Sequence, residues 1–167
     1  GYRIGVISTP TWETAPENLK DWLLQRSRWL KGYMQTFGVQ TRDGLPPPRI
    51  AFALLATLGL ALVSAAIHAW TLVWLLLMAV LGVTGLVAAE IPSIYLAALG
   101  FGTVSAITSK LIGAGRAGTP VRWRDGLAAL LYWPLLSVAF LHAAGQLVLR
   151  PHHWHKTPHH PWRLDPP

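Results

Sequence analysis

The chain contains no cysteine. That excludes disulfides, thiolate nucleophiles and every cysteine-ligated zinc or iron–sulfur centre. Charge is also scarce: 13% of the 167 residues are Asp, Glu, Lys or Arg, against roughly 25% in an average soluble domain. Acid is the scarcer sign, with 7 Asp and Glu against 14 Lys and Arg. No Asp-x-Asp or comparable carboxylate pair is present, so the chain has no motif for holding Mg²⁺ or Mn²⁺ through oxygen ligands. Nor does it open with a basic run followed by an apolar core, as a signal peptide would.

The charges are segregated. Between Ile50 and Ser109 the only one is Glu90, and residues 126–149 carry none. The forty uncharged residues 50–89 suffice for two bilayer crossings at about 20 residues each. The net charge of +7 sits in the polar flanks. There it suits anionic headgroups at a cytoplasmic membrane surface better than nucleic acid.

Along the chain, Ile4-Gly5-Val6-Ile7 reads as a strand end before a turn at Pro10. Thr14-Ala15-Pro16-Glu17 reads as a helix start, with Thr14 as the cap. An amphipathic helix follows over about 15–37. Leu19, Trp22, Leu23, Leu30, Tyr33, Met34 and Phe37 form its apolar stripe, and Lys20, Asp21, Arg26 and Lys31 lie off it. Such a helix suits a membrane interface. Asp43-Gly44 and Pro46-Pro47-Pro48 form a linker. Hydrophobic segments are predicted at about 50–68, 70–89, 91–111 and 127–149, the first two as a tight hairpin around His68-Ala69-Trp70. The third is rich in Gly, Ser and Thr, as membrane helix contacts often are. The fold expected is therefore an all-α membrane protein: residues 14–38 as an interfacial amphipathic helix, a linker at 39–49, and four hydrophobic helices over 50–149. Residues 150–167 form a tail.

Four full crossings keep the basic tail on the side of the amphipathic helix but export the basic loop 110–126. A re-entrant third segment keeps the loop inside and exports the tail. The sequence leaves both open.

Two constellations carry chemistry. In Gln25-Arg26-Ser27-Arg28-Trp29-Leu30-Lys31-Gly32, the residues Gln25, Arg28 and Trp29 share a helical face, continued by Gly32 and Thr36. Arg28 can donate two parallel hydrogen bonds to a phosphate. Gln25 can bond phosphate or hydroxyl, and Trp29 offers a flat face to a sugar ring. The same spacing also fits a helix whose Arg and Trp only anchor it among headgroups. In the tail, residues 152–160 hold five of the seven histidines. Pro158 keeps His155 and His159 off a shared helical face and no carboxylate joins them, so a metal site is disfavoured. Trp154, Lys156, Thr157 and His159 could instead close over an anionic ligand. Glu90, His68 and His142 read more simply as boundary and packing residues.

Together, in this order, the Gln25-x-x-Arg28-Trp29 phrase and the Trp154-x-Lys156-Thr157-Pro158-His159 tail resemble membrane-bound family 2 glycosyltransferases, the cellulose-synthase-like polysaccharide synthases. Gly1-Tyr2-Arg3, Glu13-Thr14-Ala15-Pro16, Tyr132-Trp133, Gln146-Leu147 and Arg150-Pro151 are also similar to that family. His155 and His160 depart from it, standing where an acidic residue and a Gly are common.

The resemblance implies several things. Gln25 and Arg28 would bind the nucleotide diphosphate, and Trp29 would stack on the acceptor sugar. Trp154, Lys156, Thr157 and His159 would belong to a closing loop. No catalytic residue and no metal ligand would lie in this chain. Residues 1–13 would end a GT-A catalytic domain that precedes Gly1 and carries the catalytic carboxylates and Mg²⁺ or Mn²⁺. The intact protein would be an inverting enzyme in a bacterial inner (plasma) membrane, moving sugar from a nucleotide-sugar donor to a polysaccharide or glycolipid acceptor. Competing readings are a non-catalytic membrane anchor or subunit with a lipid-binding helix and, less well supported for want of an interior ion pair, a transporter.

Overall fold

The computed structural model describes Gly5, residues 16–86 and residues 91–154. The expectations for Ile4, Val6, Ile7, Pro10, Thr14, Glu90 and the tail beyond Trp154 lie outside the described residues. Among those described, the secondary structure is entirely helical.

The first helix, α1, spans Leu19–Thr41. It is capped by Asn18, whose side chain accepts from the Asp21 amide at 2.9 Å and donates to the Asp21 carboxylate at 2.7 Å. Asp21 in the first turn also suits the positive end of the helix. The predicted start near residue 15 is therefore early by about one turn.

The second helix, α2, runs unbroken over Pro48–Val83, with Pro48 at its first position where a missing amide costs nothing. This corrects the expected hairpin. His68, Ala69 and Trp70 sit mid-helix, and no Gly or Pro interrupts residues 60–81. The helix instead ends at Thr84-Gly85, where Gly85 takes a φ of 71°, a left-handed turn that glycine adopts freely. One π turn, Leu55–Gly59, widens the helix where Phe37 of α1 packs on Gly59. A Cβ on that glycine would stand 3.4 Å from the Phe37 ring.

The third helix, α3, spans Ser93–Ala117. Gly118 closes it at φ 64°. The Thr119 amide bonds the Ala114 carbonyl at 3.0 Å and the Gly118 amide bonds that of Gly115 at 3.5 Å, the paired pattern of a glycine-terminated helix. The fourth, α4, spans Trp123–Leu149. The Asp125 carboxylate accepts from the Arg122 amide at 2.8 Å and from Lys110 of α3 at 2.9 Å, clamping the two helices at the turn.

Among the described residues three helices are long and apolar enough to cross a membrane: Pro48–Val83, Ser93–Ala117 and Trp123–Leu149. The four segments expected therefore become three. At 36 residues α2 is about 54 Å long, well over a hydrocarbon core of about 30 Å.

The three long helices meet at one point. There the ring of His68 in α2 stacks on Trp133 of α4, centroids 4.0 Å apart, and both rings press on Gly102 of α3. From this crossing the helices diverge in pairs. The later half of α2 follows the early half of α3, with Trp74 stacked on Tyr95 at 4.2 Å. The later half of α3 follows the early half of α4, to the Lys110–Asp125 pair. The later half of α4 follows the early half of α2, where Ala65, Ala139 and Ala143 build a core with Leu30 of α1. Small residues let these backbones approach closely.

Helix α1 runs alongside α4 in the same direction. Trp22 meets Tyr132 edge-on at 6.4 Å, Ser27 meets His142 at 3.0 Å, and Lys31 reaches the backbone beyond Leu149.

Candidate functional site

Burial in α1 departs from the expected stripe. Leu30 is buried, and Leu23 and Met34 pack on the core with it. Leu19 and Tyr33 are exposed, and Lys31, placed by spacing on the polar side, is 1% exposed. Its ammonium donates to the carbonyls of Arg150 at 2.8 Å and His153 at 2.7 Å. A cation there also suits the negative C-terminal end of α4. Gln35 adds a bond to the Pro151 carbonyl at 3.2 Å, and the His153 amide closes a turn on Arg150 at 3.1 Å. The start of the tail is thus held against α1 through its backbone.

That anchorage brings Trp154 onto the predicted face. Arg28, Trp29, Gly32, Tyr33, Thr36 and Trp154 line an open cleft of about 400 Å³. The Trp154 ring edge lies opposite Gly32, 3.6 Å from where a Cβ would stand. Trp29 and Trp154 are both partly exposed. Gln25 shares the helical face but is not among the lining residues. Lys156, Thr157 and His159, the other closing-loop candidates, lie outside the described residues.

Among the described residues that line the cleft, Arg28 is the only charged one. Arg26, one turn back, lays its guanidinium over Trp29 at 4.3 Å and over Trp22 at 5.6 Å. Such stacking holds a cation against an aromatic face and braces Trp29. The cleft can accept an anion at Arg28 and present two indole rings to an apolar or C–H surface.

Below the cleft, a polar chain ties α1 to α4. Ser27 donates to the Leu23 carbonyl at 2.8 Å, so its oxygen accepts from His142 Nδ1 at 3.0 Å. The His142 Nε2 then accepts from Gln146 at 3.1 Å.

Sequence reasoning missed Lys31 and Gln35 because their bonds go to backbone carbonyls more than a hundred residues away. No residue type at the receiving end advertises a carbonyl. Among the described residues no group of three His, Asp or Glu converges as metal ligands would. In comparisons with known proteins, no family model, no curated protein and no solved structure matches the chain.

Proposed function

We propose that this chain is the membrane portion of an inverting glycosyltransferase of the family 2 type. In this reading the intact protein transfers a sugar from a nucleotide donor to a polysaccharide or glycolipid acceptor at a bacterial inner membrane. Catalytic carboxylates and Mg²⁺ or Mn²⁺ belong to a domain preceding Gly1. Arg28 binds the donor diphosphate, Gln25 assists from the same face, and Trp29 stacks on the acceptor sugar. Trp154 begins the segment that closes the site, and Lys156, Thr157 and His159 continue it.

The observation that carries this reading is the meeting of Trp154 with the Arg28–Thr36 face. The two phrases that carry the resemblance lie more than a hundred residues apart in sequence. In the fold Arg28 and Trp29 of the first phrase and Trp154 of the second line one cleft. A nucleotide sugar needs that combination, an anion-binding group beside a surface for a ring.

A second reading has its own support. Arg26 stacked between Trp22 and Trp29 is an arrangement that would also anchor a helix among lipid headgroups, without any enzymatic role. The test separates them. In the intact protein, Arg28→Ala and Trp29→Ala should each abolish or sharply lower sugar transfer, for Arg28 by at least about tenfold, since a hydrogen bond to a charged group is worth about 1.5–3 kcal/mol. Membrane insertion should be unchanged. Full turnover in both variants would remove the transferase reading and leave the anchor.

A further inference from the structure

A second cleft, of about 530 Å³, opens between α3 and α4. It lies near Trp133, about 25 Å along α4 from the Trp154 site at 1.5 Å per residue, and does not depend on that site's function. Its floor is the stacked pair His68 and Trp133. His68 is 6% exposed. Its Nδ1 donates to the Ser64 carbonyl at 2.7 Å, so in the neutral ring Nε2 is an acceptor. Trp133 Nε1 is a donor. Both nitrogens are buried with no hydrogen-bond partner, and both face Gly102. A Cβ on that glycine would overlap the His68 ring and stand 2.8 Å from Trp133 Nε1.

One group satisfies both nitrogens at once: an oxygen that donates to His68 Nε2 and accepts from Trp133 Nε1. A hydroxyl does this. An ammonium cannot accept, and a carboxylate or ionised phosphate oxygen cannot donate. Other features of the cleft agree. Ser105 and Ser109 add hydroxyls, and the one cation, Lys110, is already matched by Asp125 at 2.9 Å. The cleft is therefore near neutral. The rest of its wall is largely apolar, with Phe101, Ala106 and Ala128, on two helices long and apolar enough to cross a bilayer. Gly102 covers the two nitrogens and is the only residue of α3 that is buried, so a ligand reaches them by displacing α3 locally at this glycine.

We propose that the α3–α4 cleft binds a neutral lipid bearing a free hydroxyl, which inserts at Gly102 and bridges His68 Nε2 and Trp133 Nε1. The test uses the full chain in phosphatidylcholine nanodiscs with a photoactivatable diacylglycerol as probe. Labelling is expected within residues 101–110 and 125–133. It should weaken about tenfold for the same probe with its hydroxyl methylated, and likewise for Trp133→Phe, which keeps the ring stack and deletes the donor, as loss of one buried hydrogen bond predicts. Equal labelling of the wild-type chain by the hydroxyl and O-methyl probes overturns the proposal. So does displacement of the probe by free glycerol, which would make a soluble polyol the ligand. A His68 ¹⁵N signal already hydrogen-bonded without the probe, and unmoved by it, overturns it as well, because buried water then fills the place.

Discussion

Trp154 rests against Gly32, its ring edge 3.6 Å from the point a Cβ would occupy. That is ordinary van der Waals contact, so the position tolerates one methyl and no more. Gly32→Ala should leave the tail seated, and removing a helix-interior glycine should add up to about 1 kcal/mol of helix stability. Gly32→Leu should expel Trp154. Hydrogen exchange of residues 150–154 should stay slow in the first variant and quicken in the second. Equal exchange in both would mean that Trp154 is not held by this contact.

Lys31 makes a sharper prediction. Lys31→Met preserves the apolar stem but strips the donor from the Arg150 and His153 carbonyls. Loss of hydrogen bonds from a charged donor costs about 1.5–3 kcal/mol. Thermal stability should fall accordingly, and chymotryptic cleavage after Trp154 should accelerate. On the proposed transferase reading, sugar transfer should also drop although Lys31 does not line the cleft. A variant as stable and protease-resistant as the parent would show the tail to be held by other means.

The α1–α4 contact can be tested by overpacking. Ala139 and Ala143 are 0% exposed and lie in one cluster with Leu30 and Ala65. Extra methylenes in such a core cost about 1–3 kcal/mol. Ala143→Leu should therefore destabilise the chain and loosen α1, whereas Val148→Leu, at a position 79% exposed, should do neither. Comparable unfolding midpoints for the two variants would refute the close approach.

Topology is open to a clean measurement because the chain has no cysteine. The Lys31 bonds put the start of the tail beside α1, and Phe37 on Gly59 puts the early part of α2 at that same end. Three complete crossings would separate the start of α2 from the end of α4. These contacts bring them together, so at least one of the three long helices does not pass fully through. Single cysteines at Gly44 and His152 should be labelled by an impermeant maleimide from the same side of a sealed vesicle. Labelling from opposite sides would contradict the packing of α1 on α4.

The sequence was most legible where the signal is local. The last two hydrophobic segments, predicted at 91–111 and 127–149, correspond to Ser93–Ala117 and Trp123–Leu149. The Gly- and Pro-rich linker before residue 48 breaks the helix where expected. The hairpin at His68 failed because a polar residue inside an apolar run was taken for a turn. Its ring is instead accommodated within the helix by the Ser64 carbonyl and the Trp133 stack, neither visible from composition. Lys31 failed for a related reason: charge was taken to mean solvent, while its partners are carbonyls at the end of α4. Of the predicted face, Arg28, Trp29, Gly32 and Thr36 come together with Trp154, and Gln25 stands aside.

Three helices that touch at one point and then splay leave wedges between their arms. Phe101, Val104, Leu111, Leu130 and Leu131 face outward from those arms, each more than half exposed. In a bilayer these wedges are occupied by acyl chains, which become part of the packing on which the crossing rests. The fold's stability is thereby tied to the membrane around it: shortening or stiffening the lipid tails changes how the helices are braced, without altering a single residue.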